Sequence, residues 1–146
     1  CTCTSFQIQK YRARLSGPLL DRIDIHVDVT PLPYEDFRKR SDQNETSQHV
    51  AERVQCVRDI QRTRFKGTKI YLNSQMTTRL IEKHCKLDDS GEKVFKNSME
   101  KFQLSARAAS RVLKVSRTIA DLENCENIKM DHVLEAVQYR SMEQRG

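Results

Sequence analysis

The stretch opened by Ser105 sets the fold class. Ala108, Val112, Val115, Ile119 and Leu122 recur at alternating steps of four and three, the spacing that gathers side chains on one face of an α-helix. Such a face must be buried against other elements, and the flanking sequence supplies further helices. After Asn124–Lys129, the residues Val133, Leu134, Val137 and Tyr139 form the apolar side of a last helix. Asp88 and Asp89 favour a helix N-terminus, and that helix is expected to run to Phe102, with Gly91 tolerated near its start. Ser74 opens another helix through Cys85, turning Met76, Leu80 and Ile81 inward. Val50, Val54, Val57 and Ile60 make one more stripe, with Gly67 as its terminator. Lys69–Leu72 is short enough to be extended. The expectation is a bundle of about four or five helices over residues 46–146.

The front of the chain reads differently. A helix is expected from about Ser5 to Leu15, capped by Thr4 or Ser5. Ser16-Gly17-Pro18 then breaks the chain direction. Ile23, Ile25, Val27 and Val29 alternate with Asp24, His26 and Asp28, the period of a half-buried strand. Pro31 and Pro33 stop regular pairing, and residues 33–45 are mostly polar, a surface linker with room for one helical turn. The division is thus 1–32, a linker 33–45, and a helical domain 46–146. The class is mainly α, with one strand near the front.

Composition narrows the functions. At 146 residues the chain holds one domain or parts of two, and its first residue is cysteine, so it reads as a fragment. No apolar run approaches the ~20 residues of a membrane span, and no secretory signal is visible; no membrane partner and a cytoplasmic setting are expected. Five cysteines are too scattered for a disulfide scaffold. Cys1-Thr2-Cys3 has the spacing of half a zinc site, with the remaining ligands to come from elsewhere in a parent protein; no metal is expected on the fragment itself. A net charge of +6 permits an anionic partner, nucleotide or nucleic acid. Basic residues concentrate only at Arg53, Arg58, Arg62, Arg64 and Lys66, facing Glu45, Glu52 and Asp59. That pattern suits either a solvated helix face or a stand-alone DNA-binding module.

Autonomous catalysis is disfavoured. None of the four glycines fits a G-x-x-x-x-G-K-[ST] phosphate loop. His26, His49, His84 and His132 are dispersed, without metalloprotease spacing. Two arginines stand out. Arg22 lies between a turn and the expected strand, placed either to reach a neighbouring molecule or to pair with Asp21 or Asp24. Arg107 falls in the first turn of the Ser105 helix, where the partial positive charge disfavours a cation. A bound anion would offset the mismatch, as guanidinium and free N–H groups converge on it. A carboxylate such as Glu100, or plain solvent, would do so too.

The run Arg12-Ala13-Arg14-Leu15-Ser16-Gly17-Pro18-Leu19-Leu20-Asp21-Arg22-Ile23-Asp24 closely resembles the magnesium-chelatase-like AAA+ ATPases of the YifB/ComM type. Leu104-Ser105-Ala106-Arg107-Ala108 with Arg111–Leu122 is similar to their C-terminal lid, and His132–Arg140 to the end of that lid. Tyr71–Met76 and Cys85–Asp88 are further similar stretches. The resemblance implies the end of an AAA+ core plus a lid, within an ATPase assembled as a homo-oligomeric ring, expected to be a hexamer. Arg22 matches the arginine finger that acts in trans on a neighbour's γ-phosphate, and Arg107 the sensor-2 arginine of the lid. ATP and Mg2+ are then cofactors of the parent, whose phosphate loop and acidic magnesium motif would lie upstream. None is expected on the fragment alone. Arg111 and Arg117 stay open between a solvated face and a secondary ring contact. The resemblance also implies DNA as a partner of the ring, with a magnesium chelatase ATPase subunit as the alternative.

Overall fold

Four of the helices begin where a side chain accepts from their free N–H groups. A computed structural model of the chain describes residues 2–12, 14, 22–27, 29–38 and 45–140. Its elements are α1 (Ser5–Arg12), α2 (Tyr34–Arg38), α3 (Ser47–Arg64), a 3-10 turn (Asn73–Gln75), α4 (Thr78–His84), α5 (Asp89–Lys101), α6 (Ala106–Leu122) and α7 (Met130–Gln138). The Thr4 hydroxyl accepts from Gln7 N–H while Gln7 Oε1 accepts from Thr4 N–H, a reciprocal cap on α1. Thr46, Asp88 and Ser105 accept from His49, Gly91 and Ala108 N–H at 3.2, 2.6 and 3.1 Å, starting α3, α5 and α6.

α6 is the centre of the bundle. It packs against α3, α4, the 3-10 turn and α7, and α5 closes on the other side of α7. Val112, Ala120, Ile128 and Val133 are wholly inaccessible, surrounded by Phe65, Met76, Ile81, Cys85, Ile119, Ala136 and Val137. Full burial of each larger apolar side chain contributes roughly 1.5–3 kcal/mol. Among the described residues, no helix is long and apolar enough to cross a membrane.

Two glycines have structural work. Gly67 follows α3 at φ +82, a left-handed conformation that suits glycine. Gly91 is more than tolerated: a Cβ there would lie 3.0 Å from Asp88 Oδ1 and 3.3 Å from the Ile128 carbonyl. The first turn of α5 therefore sits hard against the connection before α7, where Leu87 and Ile128 form an isolated parallel bridge.

Several expectations are revised. No strand forms among residues 22–27 and 29: Ile23, Ile25, Val27 and Val29 are exposed, and no strand lies beside them among the described residues. The alternation is present, but the segment's polar groups bond to the helical bundle instead. α1 spans Ser5–Arg12; Leu15, the expected end of that helix, and the Ser16-Gly17-Pro18 turn lie outside the described residues. Within residues 33–45, the single helical turn is α2, and 39–44 are outside the described residues. Of the α3 stripe, Val57 is buried, whereas Val50 and Val54 are exposed. Leu122 and Leu134 are exposed as well. Lys69–Leu72 forms no strand with any described residue. α4 starts at Thr78, because Gln75 Oε1 accepts from Tyr71 and Leu72 N–H and closes the preceding turn first.

Candidate functional site: a basic cleft at the start of α6

Residues 22–27 lie across the ends of α6 and α7, held through their main chain. Arg111, one helical turn after Arg107 on α6, donates from Nη1 to the Arg22 carbonyl at 2.8 Å. The same nitrogen pairs with the Asp24 carboxylate. Arg140 Nη1 donates to the Ile23 carbonyl at 3.0 Å, and His26 N–H donates to the Tyr139 carbonyl at 2.8 Å. Asp24 is thus engaged by Arg111 and not by Arg22, whose residue is exposed in a turn. Asp21, the other carboxylate considered for Arg22, lies outside the described residues.

Beneath this segment is a cleft of about 440 Å³ lined by Asp24, Ser74, Ala106, Arg107, Ser110, Arg111 and Lys114. Three cations meet one carboxylate there. Arg107 is exposed in the first turn of α6 and has no ion pair with Glu100 or any other described carboxylate. The Lys114 ammonium donates to the Ser74 carbonyl at 2.8 Å. Its pKa is lowered from the ordinary lysine value, by burial first and then by the Arg111 charge. Positive charge crowded at the N-terminus of a 17-residue helix is chemically suited to an anion such as a phosphate group. The cleft unites Arg107 with the segment that carries Arg22, a juxtaposition that their separation in sequence did not reveal.

Arg117 is neither a solvated face nor a surface contact. It is 2% exposed and donates from Nε to Asp121 Oδ1 at 3.0 Å, and to the carbonyls of Cys125 and Glu126. Arg64 takes the same carboxylate in a two-pronged ion pair, 2.6 Å to Oδ2, and also donates to Asn73 Oδ1 at 2.8 Å. Asn73 Nδ2 donates to Asp121 and Thr118. This network joins α3, the 3-10 turn and α6, so its role is to lock the bundle. The i,i+4 spacing of Arg117 and Asp121 was a readable signal; the contribution of Arg64 was not.

The basic stretch on α3 is partly neutralised. Arg53 pairs with Glu45 and Arg62 with Asp59, each at 2.9 Å, and Arg64 with Asp121. Arg58 and Lys66 are exposed and have no carboxylate partner among the described residues.

Among the described residues, no group of metal ligands includes Cys3, which is exposed with a free thiol; Cys1 lies outside the described residues. Glu123, Cys125 and His132 do gather within 4.8 Å. However, His132 Nδ1 accepts from Lys129 N–H at 2.9 Å, which puts the ring proton on Nε2, donated to Glu123 Oε2 at 2.9 Å. Both ring nitrogens are committed, and the group works as the cap of α7.

Residues 44–140 match the family described as magnesium chelatase, subunit ChlI C-terminal, and residues 1–37 match magnesium chelatase, subunit ChlI. The chain is 44% identical over 136 residues to competence protein ComM of Haemophilus influenzae, covering 93% of this chain and 26% of that protein. It is 36% identical over 141 residues to YifB of Escherichia coli and, separately, to YifB of Salmonella typhimurium, covering 97% of this chain and 27% of each of those proteins. The chain spans about a quarter of the length of these relatives.

Proposed function

The chain belongs to the magnesium chelatase ChlI family, and on that premise we propose that it supplies one side of a shared ATP site in a ring-shaped AAA+ ATPase. Arg22 is the finger that reaches the γ-phosphate bound by a neighbouring subunit, and Arg107 is the sensor that reads the same kind of phosphate from the lid. The observation that carries this reading is the cleft that unites Arg107 with the Arg22 segment through Arg111 and Asp24. An exposed guanidinium at a helix N-terminus, without a carboxylate partner among the described residues, suits a phosphate oxygen better than water.

ATP and Mg2+ belong to the assembled ring, with the phosphate loop and magnesium-binding acids contributed from outside this chain's sequence. The division of labour is the core end at 1–32, the linker at 33–45 and the lid at 46–146. The partners are copies of the same subunit, in a cytoplasmic ring expected to be hexameric. The YifB/ComM resemblance carried by residues 12–24 and 104–122 extends the proposal to DNA as the substrate that the ring remodels.

The test is ATP turnover by the full-length protein with Arg22→Ala or Arg107→Ala. Loss of turnover with retained assembly supports the reading, and undiminished turnover in both variants overturns it.

A further inference from the structure

Finger arginines act only when the guanidinium is held where charge develops, and displacement by about 1 Å can cost on the order of 10²-fold in rate. Arg22 is exposed and no described residue bonds its guanidinium, so the anchor from which this chain aims the finger is the Arg22 backbone. That backbone is held by a side chain of the lid: Arg111 Nη1 donates to the Arg22 carbonyl while pairing with Asp24 two residues on. Arg140, 3% exposed, fastens the intervening Ile23 carbonyl. Arg107 and Arg111 are four residues apart on α6 and share one face of the helix.

We propose that Arg111 is a positioning residue that clamps the Arg22 backbone to helix α6, so that the finger and the Arg107 sensor move as one rigid unit. The inference rests on the assignment of Arg22 as the finger. It also explains why two arginines line the cleft. The charge of Arg111 is met by Asp24, so Arg111 orients, whereas Arg107 is left to meet the phosphate. A rotation of the lid that carries Arg107 towards nucleotide then carries Arg22 with it, so that the position of the lid sets the position of the finger.

The experiment is steady-state ATP hydrolysis by the full-length protein, comparing Arg22→Ala, Arg111→Ala, Arg111→Lys, Asp24→Asn and the double variant Arg22→Ala/Arg111→Ala. Arg111→Ala is expected to lower kcat about 10²-fold with KM for ATP unchanged. Arg111→Lys should recover part of that loss, because an ammonium can still donate to the carbonyl. Asp24→Asn, at a side chain 45% exposed and so of little consequence to folding, should lower kcat by a smaller factor. The double variant should be no slower than Arg22→Ala, since a clamp has nothing to position once the finger is gone. Wild-type kcat in both Arg111→Ala and Asp24→Asn would overturn the clamp while leaving the finger standing, as would losses that multiply in full in the double variant. Full turnover in Arg22→Ala would overturn the finger, and the clamp with it.

Discussion

The guanidinium of Arg111 donates to the main-chain carbonyl of Arg22 at 2.8 Å, fixing the front segment of the chain to the long central helix of the bundle. The same helix carries the basic cleft at its start and, through Arg117 and Asp121, a buried ionic lock towards its end.

Arg107 lies on the cleft, away from the core, so its loss should separate binding from stability. Arg107→Ala in the full-length protein is expected to weaken ATP binding or turnover by about 10- to 100-fold, the range for one charge-assisted contact to phosphate. The melting temperature should stay within a degree or two. Isothermal titration with a non-hydrolysable ATP analogue and a thermal melt check both halves.

Asp121 is 3% exposed and lies between Arg64 and Arg117. Asp121→Asn leaves two guanidiniums with neutral partners inside the bundle and should destabilise the chain by about 3–5 kcal/mol. Denaturant unfolding followed by circular dichroism measures this directly. A loss below about 1 kcal/mol would mean that water reaches the network.

The helical bundle was legible in the sequence because its stripes are local. The Ser105–Leu122 pattern, the Asp88 and Ser105 caps and the inward Met76 and Ile81 follow from spacing within a few residues. What stayed hidden depends on distant partners. Ile23–Val29 carries the alternation of a strand, but pairing needs a neighbour, and its N–H and C=O groups find Tyr139, Arg140 and Arg111 instead. Arg117 looked like a surface cation because the fold alone brings Arg64 onto the Asp121 they share and turns the chain back to set the Cys125 carbonyl on the Arg117 guanidinium. Gly91 looked optional because the Ile128 carbonyl that excludes a side chain there lies far along the chain.

Burial pushes the Cys85 thiol up to about 11, leaving almost no thiolate at neutral pH. Cys3 and Cys56 are exposed. Iodoacetamide should therefore label Cys3 and Cys56 in the native chain, and Cys85 only after denaturant is added. Peptide mass spectrometry reads the order, and early labelling of Cys85 would contradict the packing of α4 described here.

His84 stacks edge-on against the buried ring of Phe65, with centroids 5.7 Å apart. Its pKa is lowered by burial first, then by the charges of Lys83, Arg64 and Arg117. The unfolded chain thus binds more protons just below the ordinary histidine value of about 6.5. The His84 contribution should be fully present above that value and decline as pH falls through the window beneath it. His84→Gln is expected to flatten this slope in melts taken between about pH 5 and 7; an unchanged slope would assign it to other groups.

The most direct test of the central claim, that Arg22 serves a neighbour's nucleotide, is ATP turnover in mixed rings of full-length subunits. One subunit carries Arg22→Ala and the other an inactivated phosphate loop. Each should be inactive alone, with Arg22→Ala lowering turnover on the order of 10³-fold. Their mixture should regain a fraction of wild-type turnover, because a competent phosphate loop then meets an intact Arg22 across an interface. Undiminished turnover by Arg22→Ala alone, or a mixture as inactive as its parts, would contradict a finger acting in trans.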